Sequence, residues 1–300
     1  MMSFATMLWL FAFKIKKIQG YDRVIIQSPP LPVAGSAITL FKKIFGRKTL
    51  VNISDLWPLS AVELGAMREG GKIYDIFAWI ERYIYRNADG IFGQSEEIIR
   101  HVNQFPSTKN KFVYRNLQQY AVAAQPKRKH TPFRIVYAGL LGVAQDIYSI
   151  IENIPFQSIG AEFHLYGGGN QAEKIKEYIN KHPGCFVYYH GYVKKEQIAE
   201  ELSRYDASIV PLTVAIKGAV PSKIYDLIPI GIPILFCGGG EGAEIVSKYY
   251  FGMVSKPHDF KQLHNNIIEL INLPDEEYST IWKNCLLYTS DAADDRISVD

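Results

Sequence analysis

The chain has 300 residues, of which 48% are hydrophobic and 13% aromatic, and its formal net charge is +3. This length suits two domains of ordinary size, and so apolar a composition excludes a disordered or fibrous chain. The small net charge gives no strong field for nucleic acid, so we expect no nucleic-acid partner. Three cysteines without metal-ligand spacing favour a reducing, cytoplasmic location over a disulfide framework.

The first half of the chain, residues 1–117, reads as one β/α domain. The apolar run 1–13 is too short to span a membrane, and we interpret it as a buried helix, with a membrane anchor as the alternative. Ser28 and Asp55 follow predicted strands, so both would lie at strand carboxyl ends, where such folds bind ligands. Asp55 would alternatively brace the turn before Pro58. Strands are predicted over 23–27, 49–53, within 88–95 and over 111–114, and helices over 34–45, 72–87 and 96–103.

Residues 118–132 lose the hydrophobic pattern and gain charge and proline, which is typical of a linker. We interpret the basic run 127–130 within it as a solvated hinge. Lysines near the start of the chain would suit an anionic membrane surface or, equally, solvated helix ends.

The second half, residues 133–285, alternates strands with helices, and this alternation indicates a doubly wound parallel sheet. Strands are predicted over 134–138, 162–166, 185–189, 206–210 and 232–236, and helices over 171–181 and 195–204. Three of these strands run into glycine turns, at 139–142, 167–169 and 238–240. We predict that the turns form a rim of exposed amides at helix amino ends, which suits phosphates.

The most informative stretch is 217–244. Ser222 is expected to cap a short helix over 223–228, in which Lys223 and Asp226 share one face. A carboxylate can accept hydrogen bonds from the diol of a ribose, and a lysine can stabilise a diphosphate. The pair therefore describes a nucleotide-sugar site; the alternative is a solvated ion pair beside plain glycine turns.

The run Pro221-Ser-Lys-Ile-Tyr-Asp226, followed by Gly231-Ile-Pro-Ile and Gly240-Glu-Gly-Ala-Glu-Ile-Val, resembles the donor-site signature of family-4 glycosyltransferases of the GT-B fold. Within that family it is similar to the branch that builds bacterial surface polysaccharides. The resemblance covers residues 22–273 and implies two doubly wound, Rossmann-like α/β domains that face a cleft, the first of them incomplete. Many members carry two glutamates separated by seven residues; here Gly218 and Asp226 occupy those positions.

The resemblance also implies roles for individual residues. Lys223 and the amides near Gly142 would stabilise the departing diphosphate, and Asp226 would hold the ribose. Glu244 would orient the donor sugar as a second catalytic residue, or would act only as a partner of the helix dipole. Ser28 and Asp55 would lie on the acceptor side. Donor binding is assigned to Gly139, Leu141, Gly142, Tyr192, Pro221, Ser222, Lys223, Asp226, Gly240, Glu241 and Gly242.

The sequence therefore predicts a retaining transferase that uses a nucleoside-diphosphate sugar, UDP-linked, and a glycan or polyprenyl-linked acceptor. Family members need no metal or other cofactor, and no DxD-type motif is present. We expect it in the cytoplasm, with peripheral contact at the inner face of the plasma membrane left open. The alternatives are an inactive fragment of such an enzyme, a nucleotide-sugar epimerase on the same scaffold, and a two-lobed binding protein.

Both ends depart from the family pattern. Only four strands are predicted before the linker, against at least five after it, so we expect the chain to be truncated at its start. Residues 285–295 read like translated adapter DNA, so we expect 286–300 to be a non-native tail.

Overall fold

The computed structural model describes residues 2–15, 22–115, 117, 129–214 and 216–294. The chain divides into two compact units. The first comprises Met1–Asn116 with Ile216–Val220, and the second Leu117–Ala215 with Pro221–Asp300. Each unit packs helices around one parallel sheet, as the strand and helix alternation predicted.

The first unit contains a four-stranded parallel sheet in the order β1-β2-β3-β4. Its centre is fully apolar, because Val51 and Ile91 on the two middle strands are both completely buried. The strands are β1 (Arg23–Ser28), β2 (Lys48–Ile53), β3 (Gly90–Gly93) and β4 (Lys111–Val113). The helices are α1 (Met2–Ile15), α2 (Leu31–Ala37, continued by a π-helix over Ile38–Ile44), α3 (Leu59–Glu63), α4 (Lys72–Asn87) and α5 (Glu96–Val102).

Helix α1 forms where the sequence predicted a helix, but the expectation that it is buried is wrong. Phe4, Met7 and Leu10 are 61%, 54% and 71% exposed. The apolar residues of α1 occur all round the helix, whereas its described packing is against α2, so part of the apolar surface faces outward. Within the described residues, no helix is both long and apolar enough to cross a membrane.

The second unit contains a six-stranded parallel sheet in the order β10-β9-β8-β5-β6-β7. This is the doubly wound order: successive strands are added on one side of β5 as far as β7, and then on its other side from β8 onwards. The strands are β5 (Phe133–Ala138), β6 (Ala161–Tyr166), β7 (Val187–Gly191), β8 (Ala207–Pro211), β9 (Ile234–Cys237) and β10 (Gly252–Ser255). The helices are α6 (Ile147–Asn153), α7 (Ala172–Lys181), α8 (Ile198–Leu202), α9 (Ser222–Leu227), α10 (Gly240–Lys248), α11 (Phe260–Asn272) and α12 (Asp275–Asp294), with short 3-10 turns at Phe156–Ile159, Lys195–Gln197 and Ile228–Ile230.

Four elements of this unit differ from the prediction. Strand β7 begins two residues later than predicted, because Phe186 has φ 58° and cannot belong to an extended strand. Strand β10 and helix α11 were not predicted at all. Helix α12 runs through Asp294, into the segment predicted as a tail, and buries Tyr278, Ile281 and Cys285 in the main core.

The end of the predicted linker is anchored, so the interpretation of 127–130 as a solvated hinge is wrong for its described residues. The Lys129 ammonium donates to the carbonyl oxygen of Ile271, at 2.8 Å, and to that of Leu273. It thereby satisfies carbonyl groups at the end of α11 that no helical amide can reach. Residues 118–128 lie outside the described residues.

Asp206 connects this anchored segment to β8. Its completely buried carboxylate accepts from the His130 ring nitrogen Nδ1 at 2.9 Å, from the His130 amide at 3.2 Å and from the Arg134 amide at 2.7 Å. We expect Asp206→Ala to lower the free energy of unfolding by about 3 kcal/mol, because three donors lose their buried acceptor. Urea unfolding followed by circular dichroism would measure this. Asp275→Ala, at a side chain that is 81% exposed, is the control and should change stability by less than ~0.5 kcal/mol; an equal effect of both variants would contradict the assignment.

Candidate functional site

The second unit has one position where its fold favours a ligand. In doubly wound sheets, ligands bind beyond the carboxyl ends of the strands at the point where the strand order reverses. Here that point lies between β5 and β8. The loop 139–142 follows β5, and helix α9 follows the segment after β8. The two predicted parts of the donor site, the loop 139–142 and helix α9, therefore both lie at the reversal point of the same sheet.

Lys223 extends from α9 towards this loop. Its Nζ atom lies 5.5 Å from the centroid of the Tyr137 ring, and a Cβ atom built on Gly139 would lie 2.5 Å from its Cε atom. No hydrogen bond or ion pair to the ammonium is found among the described residues. Burial lowers the pKa of Lys223, and the nearby carboxylate of Asp226 only partly opposes this shift. The structure thus holds a half-buried cation beside a glycine loop, with the Asp226 carboxylate near it but no ion pair among the described residues.

Asp226 lies one turn further along α9, on the same face as Lys223. Burial raises the pKa of Asp226, while the charges of Lys223 and Lys195 act in the opposite direction. The other face of the helix is apolar, since Ile224 and Leu227 are 0% and 2% exposed. The predicted division of this helix into a charged face and a core face is therefore confirmed.

Ser222 does not cap α9 as predicted. The N-cap position belongs to Pro221, which has φ −57° and ψ 125°, and no side chain caps the helix. Ser222 is the first helical residue and is exposed. Ser222 therefore lies one position too late to cap the helix, because a capping residue has non-helical backbone angles.

The glycine turns after β5 and β6 lie backbone against backbone. A Cβ atom on Gly167, which has φ 119°, would lie 1.9 Å from the carbonyl oxygen of Gly139. A Cβ atom on Gly169, with φ 155°, would lie 2.3 Å from the carbonyl oxygen of Leu141. Glycine is therefore required at both positions by close approach and by backbone angle.

Three of the amides in these turns, those of Gly139, Leu141 and Gly167, already donate to backbone carbonyl groups, so the predicted rim of exposed amides is wrong here. The Gly139 amide donates to the Tyr166 carbonyl at 3.0 Å, and the Leu141 amide donates to the Gly168 carbonyl at 2.9 Å. The side chain of Leu141 is completely buried in the core, so this residue supports the loop and does not contact a ligand. Within the described residues the Gly142 amide donates to no other group, and it keeps the predicted role.

The third glycine turn does begin a helix. Gly239 is the N-cap of α10, whose first amides point out of the helix end and suit an anion. Glu241 in the first turn is buried, at 4% exposure, and a Cβ atom on Gly242 would lie 2.9 Å from the Phe236 ring. Glu244, predicted to orient the donor sugar, is exposed. Of the two glutamates, the structure therefore brings Glu241 into the interior of the unit.

A cavity of about 360 Å³ opens between the same loops. The hydroxyl group of Tyr192 lies directly over Gly168, where a Cβ atom would approach it to 2.2 Å. The ring of Tyr166 forms part of the wall and stacks on His190, with centroids 4.7 Å apart. Sequence reasoning found Tyr192 but missed Tyr166 and Ile198; an aromatic residue directly before a glycine turn was the available signal for Tyr166. The cavity is lined by Ala138, Gly139, Leu140, Tyr166, Gly167, Gly168, Tyr192, Val193 and Ile198.

In the first unit, Ser28 is the last residue of β1, one residue beyond the predicted strand end, and Asp55 follows the adjacent strand β2, as predicted. Ser28 is 2% exposed, and its carbonyl oxygen accepts from the Ser54 amide at 2.9 Å, which leaves little of this residue for a ligand. Asp55 is half-buried, and burial raises its pKa. Its carboxylate makes no hydrogen bond within the described residues, so the structure does not support the alternative in which it braces the turn.

Gly218 occupies the position where many family members have a first glutamate, and it belongs to the first unit. It has φ 78°, and a Cβ atom on it would lie 2.9 Å from the Ile98 side chain and 3.1 Å from Leu56. Its amide donates to the Glu97 carboxylate at 2.7 Å, and its carbonyl oxygen accepts from the Ser95 hydroxyl at 2.8 Å. In this conformation the position has no room for any side chain, so it cannot supply a glutamate.

A segment in the second unit is similar in sequence to a known protein family. Residues 132–273 match the sequence model of the family described as Glycosyl transferases group 1. The sequence similarity to this family is therefore confined to that segment. The segment contains the cavity, both predicted charged residues and all three glycine turns. No curated protein matches the chain by sequence.

Solved structures extend the similarity to nearly the whole chain. A mutant of TarM from S. aureus, in a complex that includes UDP, has a TM-score of 0.61 at 19% identity and covers 93% of this chain. HepE from Anabaena, in complex with UDP, has a TM-score of 0.70 at 14% identity over 94% of the chain. WaaB, a lipopolysaccharide outer core galactosyltransferase, has a TM-score of 0.61 at 16% identity over 94%. The chain spans 54% of the TarM chain, 77% of HepE and 79% of WaaB. These similarities confirm the predicted GT-B-like fold of two parallel-sheet α/β domains.

Proposed function

We propose that this chain carries the donor site of a retaining glycosyltransferase, which transfers a sugar from a UDP-sugar to a glycan or polyprenyl-linked acceptor in surface polysaccharide synthesis. The observation that carries the proposal is the ammonium of Lys223. It lies next to Gly139, at the reversal point of the sheet, and makes no ion pair among the described residues. A half-buried cation in that setting is suited to an anionic ligand such as a diphosphate.

The residues around Lys223 account for the rest of a nucleotide sugar. The uracil would occupy the cavity between Tyr166 and Tyr192, whose volume of about 360 Å³ lies in the range of small-ligand pockets. The Asp226 carboxylate would accept hydrogen bonds from the ribose diol. The diphosphate would then lie between Lys223 and the amino end of α10.

Catalysis would rest on the same cation. Negative charge grows on the departing diphosphate as the glycosidic bond breaks, and a preorganised positive group stabilises that charge most in the transition state. Lys223 and the Gly142 amide would supply this stabilisation, so the proposal requires no metal or other cofactor. The relatives supply the proposed substrate class, because the TarM and HepE structures contain UDP and WaaB is named for lipopolysaccharide galactosyl transfer.

Titration calorimetry of the whole chain with UDP tests the proposal. We expect binding by the wild type and a loss of about tenfold in affinity for Asp226→Ala, because hydrogen bonds to a charged group contribute about 1.5–3 kcal/mol. Asp275→Ala, at an exposed carboxylate elsewhere in the same unit, is the control and should bind as the wild type does. No heat from the wild type, or equal heats from wild type and Asp226→Ala, would remove the donor-site assignment.

The pKa shifts of the pair predict how donor affinity depends on pH. Burial raises the pKa of Asp226, so the carboxylate becomes protonated, and loses its acceptor role, at a higher pH than an ordinary aspartic acid. Burial lowers the pKa of Lys223, so the ammonium loses its charge at a lower pH than an ordinary lysine. Affinity should therefore be greatest near neutral pH and fall on both sides.

UDP-glucose is the suitable probe for this profile, since both of its phosphates are esterified and neither titrates near neutral pH. Asp226→Asn should bind more weakly and should lose the fall on the acidic side, while it keeps the fall on the alkaline side. If the affinity of this variant still fell on the acidic side as it does in the wild type, a group other than Asp226 would control that fall.

A further inference from the structure

A second cavity lies in the first unit, among helices α1, α2 and α4, and has no part in the proposed donor site. Its volume is about 410 Å³. Three aromatic side chains line it, of which Trp79 and Trp9 are 63% and 40% exposed. Large aromatic residues that remain exposed around one concave surface are unusual in a soluble protein, and they mark binding surfaces. We call this cavity the tryptophan groove.

The aromatic rings of the groove form a flat surface. Trp79 and Tyr83 lie one turn apart on α4, and their rings stack with centroids 5.9 Å apart and planes 20° from parallel. Trp9 contributes from α1. A flat aromatic surface suits a ligand with a flat apolar face, and the axial C–H groups of a pyranose ring form such a face.

The floor of the groove is polar at specific points. The Thr39 hydroxyl donates to the Gly35 carbonyl at 2.9 Å and lies 2.9 Å from the Tyr83 hydroxyl. Ser36 lies one turn before Thr39 on the same side of the helix and also lines the groove. Hydroxyl groups can both donate and accept, so this row can match the hydroxyl rim of a sugar. An aliphatic chain would cover the Ser36 hydroxyl, which has no partner among the described residues, without giving it one, at a cost in desolvation.

The lining also restricts the charge of the ligand. None of the described residues that line the groove is Asp, Glu, Lys, Arg or His. A phosphate or a sugar acid would enter without a counter-charge, whereas an uncharged sugar would not need one. Aromatic faces, hydroxyl groups and the absence of charge in the lining together favour an uncharged sugar over a nucleotide or an acidic glycan.

We infer that the tryptophan groove binds an uncharged sugar residue of an oligosaccharide, at a site separate from the donor pocket. The pyranose ring stacks on Trp79 and Tyr83, and its hydroxyl groups exchange hydrogen bonds with Ser36 and Thr39. This inference does not depend on the proposed donor site. If the chain binds oligosaccharides but not UDP, the result supports the groove and not the donor site. If it binds UDP but not oligosaccharides, the result supports the donor site and not the groove.

Saturation-transfer NMR of the whole chain with maltotriose, cellotriose and chitotriose tests the inference. The wild type should give transfer to at least one of the three, with millimolar affinity typical of a single stacked ring. Trp79→Ala should weaken that affinity about fivefold, in line with the energies of aromatic contacts. Ser36→Phe should abolish binding by filling the groove, while it leaves the aromatic residues and the packing of α2 against α4 in place.

Tyr188→Ala is the matched control, because Tyr188 is an aromatic residue of the second unit that is 40% exposed and lies outside the groove. It should bind as the wild type does. No transfer to any of the sugars, or equal affinity of the wild type, Trp79→Ala and Ser36→Phe, would overturn the inference. Trp79-dependent binding to vesicles of phosphatidylcholine and phosphatidylglycerol, without binding to the sugars, would assign the groove to a lipid surface and would also overturn it.

Discussion

Replacement of Lys223 with methionine is expected to weaken UDP binding by about 10- to 100-fold, since hydrogen bonds to charged groups contribute about 1.5–3 kcal/mol. Methionine keeps the apolar stem of the side chain and removes the ammonium group that lies 5.5 Å from the Tyr137 ring centroid. Release of UDP from a UDP-sugar should fall further, by about 100- to 1,000-fold, because the ammonium acts mainly on the charge of the transition state. Calorimetry and a coupled assay for free UDP would measure the two effects.

The same substitution should not reduce stability. The Lys223 ammonium is half-buried and makes no ion pair among the described residues, and the loss of its solvation on folding outweighs the attraction of the nearby Asp226 carboxylate. Removal of that charge should leave the free energy of unfolding unchanged or raise it. A residue that is costly for folding and necessary for binding is typical of a functional site.

Lys174→Met is the matched control for this prediction. Lys174 also lies over a tyrosine ring, with its Nζ atom 3.4 Å from the centroid of Tyr148, but it is on α7 and away from the pocket. This variant should keep full UDP affinity. Equal losses in both variants would indicate a general effect of net charge, and no loss in Lys223→Met would remove this residue from the donor site.

Gly167→Ala is expected to destabilise the second unit by about 3 kcal/mol, the sum of a disfavoured backbone conformation and of overpacking. Its Cβ atom would lie 1.9 Å from the Gly139 carbonyl oxygen, so the two loops could no longer remain in contact. Because Gly139 and Gly167 both line the donor cavity, UDP binding should be lost together with stability. Urea unfolding and calorimetry would report the two losses.

Gly184→Ala separates the effect of the disfavoured backbone conformation from the effect of overpacking. Gly184 also has a positive φ, of 86°, but nothing lies within 4 Å of a Cβ atom built on it. Only the backbone strain remains, so the expected loss is about 1 kcal/mol, with no change in UDP affinity. If both variants lost the same stability, the close contact between the two loops would not be the reason for glycine at position 167.

The alternation of strands and helices could be predicted because each element carries its own local pattern. Helix α4 was predicted with both ends correct, since its apolar residues recur at helical spacing and no residue within it interrupts the pattern. Strand β10 was missed because it has only four residues and begins with glycine. It is stabilised by pairing with β9, which is a non-local interaction that no local pattern reports.

The pair Lys223 and Asp226 could also be predicted, because their spacing places them on one face of any helix. The role of the glycine turns could not be predicted. Consecutive glycines suit either exposed amides or close backbone contact, and the choice at Gly167 depends on Gly139, in a loop that is distant in sequence. For the same reason the cavity wall at Tyr166 was not found. The burial of α1 was mispredicted because an apolar composition does not reveal which surface a helix packs against.

The central claim is that a sugar nucleotide binds at the reversal point of the second sheet, held by Lys223 and Asp226. Hydrogen–deuterium exchange of the whole chain, with and without UDP-glucose, tests it most directly, because it locates the ligand without a substitution. The account predicts slower exchange in the peptides that contain residues 139–142, 166–169, 190–193 and 221–226, and no change in α2 or α4. Slower exchange elsewhere, with these four segments unchanged, would contradict it.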